Sequence, residues 1–167
     1  MRHLTHADYR EMPWANGRGV TVEMIRVDRG GAMDWRLSMA QVVEDGPFSR
    51  LPGIERNLTV IEGTGFDLVG PGLRLRAGLL EPVAFSGDIP MAAEGVTGPS
   101  VDFNVMTAGR AARVNVVRGA NTLDPAGATL CVLALDVPEL ARCDLLIARE
   151  PLLVTGLALA VWIDAPL

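Results

Sequence analysis

Two segments of the sequence alternate polar and apolar residues with a period of two, which is the pattern of a β-strand with two different faces. In "DWRLSMA" the polar positions are Asp34, Arg36 and Ser38, and in "VDFNVM" they are Asp102 and Asn104. If these faces point to solvent, Asp34 and Arg36 form a surface ion pair that contributes little stability. If they point into a cavity, they can hold a small polar molecule.

The apolar sides of the same two segments favour the cavity. They carry bulky side chains that need burial themselves: Trp35, Leu37, Met39, Val101, Phe103 and Val105. A barrel that is packed on its outside by a second barrel buries both faces of such strands, and its interior then becomes a polar pocket. We therefore expect the two polar faces to meet inside one barrel.

Two loops add further candidates. The loop "MPWANGRG" places Asn16 between turn formers, just ahead of the first long strand. Backbone N–H groups in such a glycine-rich turn can approach an anion closely, although Asn16-Gly17 also makes a plain turn. The loop "DGPFSRLPGIERNLTVIEG" carries Arg50 and Arg56 around two Pro/Gly turns.

The elements that must position these residues are short strands. Runs such as "TVEMIRV", "RNLTVIEG", "ARVNVVRG" and "ATLCVLALDV" are rich in β-forming residues and bounded by turn formers, which is typical of an all-β sandwich or barrel. The stretch "EGTGFDL" at 62–68 predicts a tight hairpin. Helix signals are weak: Thr5 could cap a short turn through "HADYREM", and "VPELARC" at 137–143 could form another.

Composition excludes several classes of function. The 167 residues are 49% hydrophobic and carry a net charge of −5, with a pI of about 5.0 and no block of like charges. A nucleic-acid-binding protein needs a basic stripe, so we expect no nucleic-acid partner. Two cysteines without redox or metal spacing favour a reducing compartment, with Cys131 in the core. Neither a signal peptide nor a membrane span is apparent, and we expect a cytoplasmic protein without a membrane partner.

Histidine is too scarce for the usual catalytic or metal sites. The sequence has only His3 and His6, both ahead of the first long strand. A cupin-type metal site uses two or three histidines and a glutamate, and nucleophilic triads also need a histidine. No phosphate-binding glycine loop occurs either. We therefore expect no metal and no cofactor.

Three ordered blocks of these residues resemble the HutD/Ves family. They are W-x-N-G-x-G from Trp14, DGPFS-x-x-PG-x-x-R from Asp45, and D-F-N-V-M from Asp102. The resemblance runs in order from about residue 10 to residue 110 and is weak beyond. One departure is Arg18, where the family commonly has another glycine, which makes the loop around Asn16 stiffer here.

The resemblance implies an all-β, cupin-like fold, an RmlC-like jelly roll with two β-barrel halves in one chain. It treats residues 1–167 as a single bicupin domain. It also implies an association with histidine utilisation, in which HutD proteins are thought to bind a pathway intermediate such as formylglutamate and to restrain flux. Whether the protein forms a homodimer is left open.

A dicarboxylate ligand would suit the arginines, because the guanidinium fork pairs with carboxylates in bidentate fashion. Asn104 could both donate to and accept from a formamide group, and Asp102 could orient an arginine. The predicted ligand-binding residues are Asn16, Arg36, Ser38, Arg56, Asp102 and Asn104.

Two other functions remain open. The protein could be a metal-independent isomerase or hydrolase that acts on a small acid, with Asp102 or Glu62 as general base. It could also be a scaffold whose loops are simply turns. We favour a metal-free small-carboxylate-binding protein that is more regulatory than enzymatic.

Overall fold

The computed structural model describes residues 1–164, which contain no α-helix. The first turn expected around Thr5 is a short 3-10 helix, His6–Asp8, and residues 137–143 form turns instead of a helix. No helix of the described part is long and apolar enough to cross a membrane. The strands are β1 Arg2–Leu4, β2 Arg10–Pro13, β3 Val20–Arg29, β4 Ala32–Val42, β5 Gly46–Pro47, β6 Ile54–Glu62, β7 Phe66–Gly70, β8 Leu73–Ala77, β9 Val83–Ser86, β10 Ala92–Glu94, β11 Ser100–Ala108, β12 Ala112–Arg118, β13 Asn121–Leu123, β14 Thr129–Asp136, β15 Leu145–Ala148, β16 Leu152–Val154 and β17 Leu157–Ile163.

The strands group into two compact units. The central unit is the continuous segment Arg10–Gly109, and the terminal unit combines Met1–Tyr9 with the described residues from Arg110 on. Each unit contains a large antiparallel sheet and a smaller one. The all-β class predicted from the alternating runs is therefore confirmed, whereas the treatment of residues 1–167 as one domain stays a prediction.

The central unit is built from two sheets that face each other. One has the strand order β2-β3-β4-β11-β6-β9 and the other β5-β10-β7-β8. Alternate residues of both sheets point inward and form a buried apolar cluster that includes Leu58, Val60, Phe66, Leu68 and Ala93. Burial of these side chains provides the main driving force for the two sheets to pack together.

Strand β11 lies at the middle of the larger sheet, between β4 and β6. Asn104 is opposite Ser38 on β4, and Met106 is opposite both Arg36 on β4 and Arg56 on β6. Because opposite residues in antiparallel strands share a face, these polar side chains point to the same side of the sheet. The other side carries Trp35, Leu37, Phe103 and Val105, which are all buried.

The terminal unit has a sheet of order β1-β15-β14-β17-β12 and a pair of strands, β13-β16. Its apolar cluster includes Leu123, Leu130, Val132 and Val154. Strand β1 pairs with β15, so residues from the start of the chain complete a sheet made of later segments. Cys131, on β14, is fully buried, as expected for a small core residue.

The hairpin predicted at residues 62–68 is wrong. Strand β6 belongs to the six-stranded sheet and β7 to the four-stranded one, so the turn carries the chain between two sheets. The glycines are required for close backbone approach: a Cβ on Gly63 would lie 2.4 Å from the Pro99 carbonyl oxygen, and one on Gly65 would lie 2.1 Å from that of Ala77. Both glycines have positive φ, as expected for a tight turn, but this turn connects strands of two different sheets and not the two strands of a hairpin.

Candidate functional site

A cleft of about 560 Å³ opens on the polar side of β4, β11 and β6, within the central unit. Five of the six predicted ligand-binding residues line it: Asn16, Arg36, Ser38, Arg56 and Asn104. The sixth, Asp102, is fully buried and does not line the cleft. The structure thus brings residues from four separate segments to one place, with the buried acid next to them on β11.

Arg36 is held in the cleft by Glu23, a residue that the sequence reasoning missed. The Arg36 Nε lies 2.8 Å from a carboxylate oxygen of Glu23, and both side chains are largely buried. A β-bulge at Met24 shifts the register of β3 against β4, so that Glu23 lies opposite Ser38 and Ile25 opposite Leu37. The bulge turns Glu23 toward the polar side and Ile25 toward the apolar side. Simple alternation along the sequence gives no sign of it.

The contact with Glu23 is an ion pair without hydrogen-bond geometry at Nε, and the hydrogen bond that the Arg36 guanidinium does make is weak. Its Nη2 donates to the Met12 sulfur at 3.5 Å, and a thioether is a poor acceptor. A carboxylate oxygen in the cleft would be a much stronger acceptor for the same donors.

Arg56 is fixed more completely. Its guanidinium lies between two aromatic rings, with the central carbon 5.5 Å from the Phe48 ring centre and 5.1 Å from that of Phe85. Nη2 donates to Asn104 Oδ1 at 3.1 Å, and Nη1 donates to the Ser49 carbonyl oxygen at 3.3 Å. Burial lowers the pKa of Arg56; the charge of Asp102 opposes this shift, whereas that of Arg36 adds to it. The two guanidinium groups are therefore close enough to repel each other, as expected at a site for an anion.

Asn104 connects Arg56 to the buried acid. Its Oδ1 accepts from Arg56, and its Nδ2 donates to Asp102 Oδ1. Both ends of this amide are thus engaged within the protein, so Asn104 has less capacity for a formamide group than the sequence suggested. The Asn104 side chain therefore lies between the two charges, with its oxygen toward the Arg56 cation and its nitrogen toward the Asp102 carboxylate.

Asp102 is the most perturbed acid of the site. It is fully buried, and its Oδ2 has no hydrogen-bond partner among the described residues. Burial raises the pKa of Asp102 to about 7, although the Asn104 hydrogen bond and the charge of Arg56 both act to lower it. Asp102 therefore changes charge close to neutral pH.

The Asn16 loop lines the cleft but uses its own polar groups. The Arg18 N–H donates to Asn16 Oδ1 at 2.9 Å, and the Gly17 N–H donates to the Trp14 carbonyl oxygen at 3.0 Å. A Cβ at Gly19 would lie 2.8 Å from the Trp14 ring, so glycine is needed where the loop closes over that side chain. These N–H groups are therefore occupied by the turn, and the expected backbone cradle for an anion is not formed by them.

Other candidate residues lie outside the cleft. Asp34 was expected on the same interior face, but it contacts Arg29 at 2.9 Å and does not line the cleft. Glu62, one of the two candidate bases, is exposed at the end of β6. His3 pairs with Asp144 in the terminal unit, and the described residues contain no group of three side chains able to hold a metal ion.

Comparisons with known proteins assign the chain to a family. The HutD family model matches residues 6–138, a segment that contains every residue of the cleft. The chain belongs to the HutD family. This HutD-family protein is 36% identical over 137 residues to an uncharacterised 21.2 kDa protein from the hutC 3′ region of Pseudomonas putida, covering 78% of the chain and 72% of that relative. It is also 34% identical over 105 residues to protein Ves of Cronobacter sakazakii, covering 60% of the chain and 58% of that relative.

Solved structures extend the similarity over nearly the whole HutD fold. HutD from Pseudomonas fluorescens SBW25, in a formate condition, superposes with a TM-score of 0.86 at 31% identity, covering 97% of each chain. A conserved protein of unknown function from Pseudomonas aeruginosa PAO1 gives 0.85 at 30% identity, covering 98% of each. The expected HutD/Ves membership and cupin-like fold are both confirmed, and the family is the one associated with histidine utilisation. The division into two barrel halves stays a prediction.

Proposed function

We propose that this HutD-family protein is a metal-free binding protein for a small carboxylate such as formylglutamate, with a regulatory role in histidine utilisation. One observation carries the proposal: Arg36 and Arg56 reach the same cleft from different strands, and each is already fixed by protein contacts. Ordering a free arginine side chain costs up to about 2 kcal/mol, so arginines that are fixed before binding leave more of the pairing energy for the ligand.

The cleft has the size and lining of a small-molecule site. Its volume of about 560 Å³ is within the range of ligand pockets in general. Apolar groups, including Trp14, Phe48 and Ala93, stand beside the arginines and Asn104. A short dicarboxylate has a hydrocarbon centre with charged ends, which fits such a mixture.

An enzymatic function has weaker support. The pKa of Asp102 is close to neutrality, as a general base requires, but Asn104 lines the cleft while Asp102 does not. Glu62 is exposed and also lies outside the cleft. Binding without turnover is therefore the function that the geometry favours.

The direct test is calorimetric titration with N-formyl-L-glutamate, L-glutamate and glutarate, followed by NMR of the same samples for any product. We expect formylglutamate to bind and to be recovered unchanged. Recovery of glutamate and formate would support the enzyme instead, and no heat with any of the three acids would contradict a carboxylate site.

Arg36→Ala should weaken formylglutamate binding by roughly 2–5 kcal/mol, because it removes a guanidinium group that pairs with a ligand carboxylate away from water. Since this change also leaves Glu23 without its cation, the double variant E23Q/R36A should be measured alongside it. Arg74→Ala is the matched control, because Arg74 is exposed and pairs with Asp67 and Glu94 away from the cleft. Similar small losses in all three variants would mean that the ligand binds elsewhere.

A further inference from the structure

The buried charges that surround the cleft are already balanced before any ligand binds. Glu23 contacts Arg36 directly, with 2.8 Å between the carboxylate oxygen and Nε. Asp102 is linked to Arg56 through the Asn104 amide. Two cations therefore face two carboxylates. A carboxylate ligand adds a third anion, and a dicarboxylate adds a fourth, to a region where charge is expensive to leave uncompensated.

The two protein carboxylates differ in how they could respond. Glu23 makes a close, direct ion pair that does not involve Arg56. Asp102 has only an indirect link to its cation, and its Oδ2 has no partner among the described residues. When a ligand carboxylate pairs with Arg56, the positive charge of Arg56 no longer stabilises the Asp102 carboxylate as strongly. A proton on Oδ2 then neutralises Asp102 in the simplest way.

Among the described residues, no other charged group on the neighbouring elements supplies that compensation: Asp34 on β4 pairs with Arg29, and Glu55 on β6 is exposed. Arg56 on β6 and Arg36 on β4 flank β11, and Glu23 on β3 pairs with Arg36. Glu62, also on β6, is exposed. The facing sheet presents apolar residues to the interior, and its charged residues pair with one another on its outer side: Asp67, Arg74, Arg76 and Glu94.

We propose that the cleft binds its carboxylate ligand together with one proton, and that Asp102 carries this proton. The inference rests on the proposed function. The proton comes from solvent and adds to the Asp102 carboxylate, so that one negative charge leaves the protein as one arrives with the ligand. The charge state of Asp102 then sets the affinity of the cleft, although Asp102 does not contact the ligand.

The affinity of the site should consequently rise as pH falls. Asp102, with a pKa of about 7 in the free protein, is mostly ionised above pH 7 and mostly protonated below it. Coupling to one proton increases the binding constant by at most about tenfold per pH unit, and the increase levels off once Asp102 is already protonated. Formylglutamate and glutarate carboxyl groups have ordinary pKa values between about 3.5 and 5.5, so the ligands themselves stay largely ionised between about pH 6 and 9.

The test is calorimetric titration of the full chain with formylglutamate and with glutarate, in pairs of buffers that differ in ionisation enthalpy. We expect the uptake of a substantial fraction of one proton per ligand at about pH 7.5, decreasing toward zero at about pH 6. Binding without buffer-dependent heat, or with proton release, overturns the inference and leaves the proposed function intact. No binding by either acid overturns both.

Two further measurements assign the proton to Asp102. Asp102→Asn keeps the shape of the side chain but cannot titrate. The affinity of this variant for formylglutamate should be independent of pH, and binding should take up no proton. The exposed control Asp28→Asn should behave like the unaltered protein. If Asp102→Asn does not fold, ¹³C NMR of the unaltered protein decides the point. The Asp102 carboxyl should titrate at about pH 7 without ligand and at higher pH with it. An ordinary titration at about pH 4 would overturn the assignment.

Discussion

At the scale of single residues, Arg56 shows how a charged side chain can be buried in this protein. Arginine is rarely buried unless its charge is compensated, and Arg56 is only 6% exposed. The groups that surround its guanidinium are Phe48, Phe85, Asn104 and the Ser49 carbonyl. The two rings attract the cation electrostatically, and the oxygens of Asn104 and Ser49 accept hydrogen bonds from its terminal nitrogens. Arg56 also lines the cleft, where a ligand can reach it.

The rings should contribute to ligand affinity without contacting a carboxylate. Phe48→Leu removes one face of the stack while keeping apolar volume, so Arg56 should become less ordered. We expect a loss of about 0.5–2 kcal/mol in the affinity for formylglutamate, measured by calorimetry. Phe66→Leu is a control in the same core cluster, because Phe66 contacts Phe48 but does not line the cleft. An equal loss of affinity in both variants would indicate a general loosening of the core.

Asp102 should also make the stability of the protein depend on pH. Its folded pKa of about 7 is above the unfolded value of about 4, so the folded state holds a proton that the unfolded state has lost between these values. Its contribution to the free energy of unfolding is therefore fully present below about pH 4 and decreases as pH rises, by up to about 1.4 kcal/mol per unit, until about pH 7.

Asp102→Asn should remove this component. Chemical denaturation of the variant between pH 4 and 8 should show a smaller decline of stability with rising pH than the unaltered protein, whereas the control Asp28→Asn should keep the original slope. Parallel curves for all three proteins would show that Asp102 is ionised in the folded state throughout the range.

At the scale of elements, the connection between β6 and β7 depends on Gly65. Gly65 has a φ of +77°, and a Cβ there would lie 2.1 Å from the Ala77 carbonyl oxygen, which belongs to the backbone and cannot move aside cheaply. Gly65→Ala should therefore lower the free energy of unfolding by several kcal/mol, since it combines a strained φ with a steric clash.

Gly72→Ala is the matched control for this change. Gly72 has a φ of +67° but open space around the position of a Cβ, so only the backbone strain of about 1 kcal/mol applies. Denaturant unfolding of both variants measures the difference. Equal losses would mean that the β6–β7 turn can rearrange to accommodate a side chain.

The directions of side chains along the strands could be predicted from the sequence, whereas the pairing of the strands could not. Alternation predicted that Arg36 and Ser38 share a face, as do Asp102 and Asn104, because side-chain direction follows from the strand period alone. Register is different: the pairing of Asn104 with Ser38 depends on long-range packing that no local pattern encodes. The bulge at Met24 reverses the alternation of β3, so Glu23 could not be placed beside Arg36 in advance.

At the scale of the whole molecule, the terminal unit is closed by the first strand of the chain. Leu4 is buried on β1, and the Tyr9 hydroxyl donates to the Cys143 carbonyl oxygen at 2.7 Å. His3 contacts Asp144 at 2.8 Å. The segment Met1–Tyr9 thus contacts β15 through backbone pairing, and the two residues before β15 through two hydrogen bonds.

Deleting residues 1–8 should expose β15 as an unpaired edge of its sheet. Hydrogen exchange followed by mass spectrometry should then show faster exchange in Leu145–Ala148, while β11 keeps its protection and the cleft keeps its affinity for formylglutamate. Tyr9→Phe, which removes a single hydrogen bond, should give a smaller change of the same kind, worth about 1 kcal/mol. Equal loss of protection in β11 would contradict this assignment of the N-terminal strand.

The pairing of β1 with β15 also has a consequence for biosynthesis. Translation delivers β1 well before its partner β15, because His3 and Asp144 are 141 positions apart. The continuous segment Arg10–Gly109 is synthesised in between. On the ribosome, therefore, every strand around the cleft emerges while β1 still lacks its partner, and the native pairing of β1 has to wait until β15 has been synthesised.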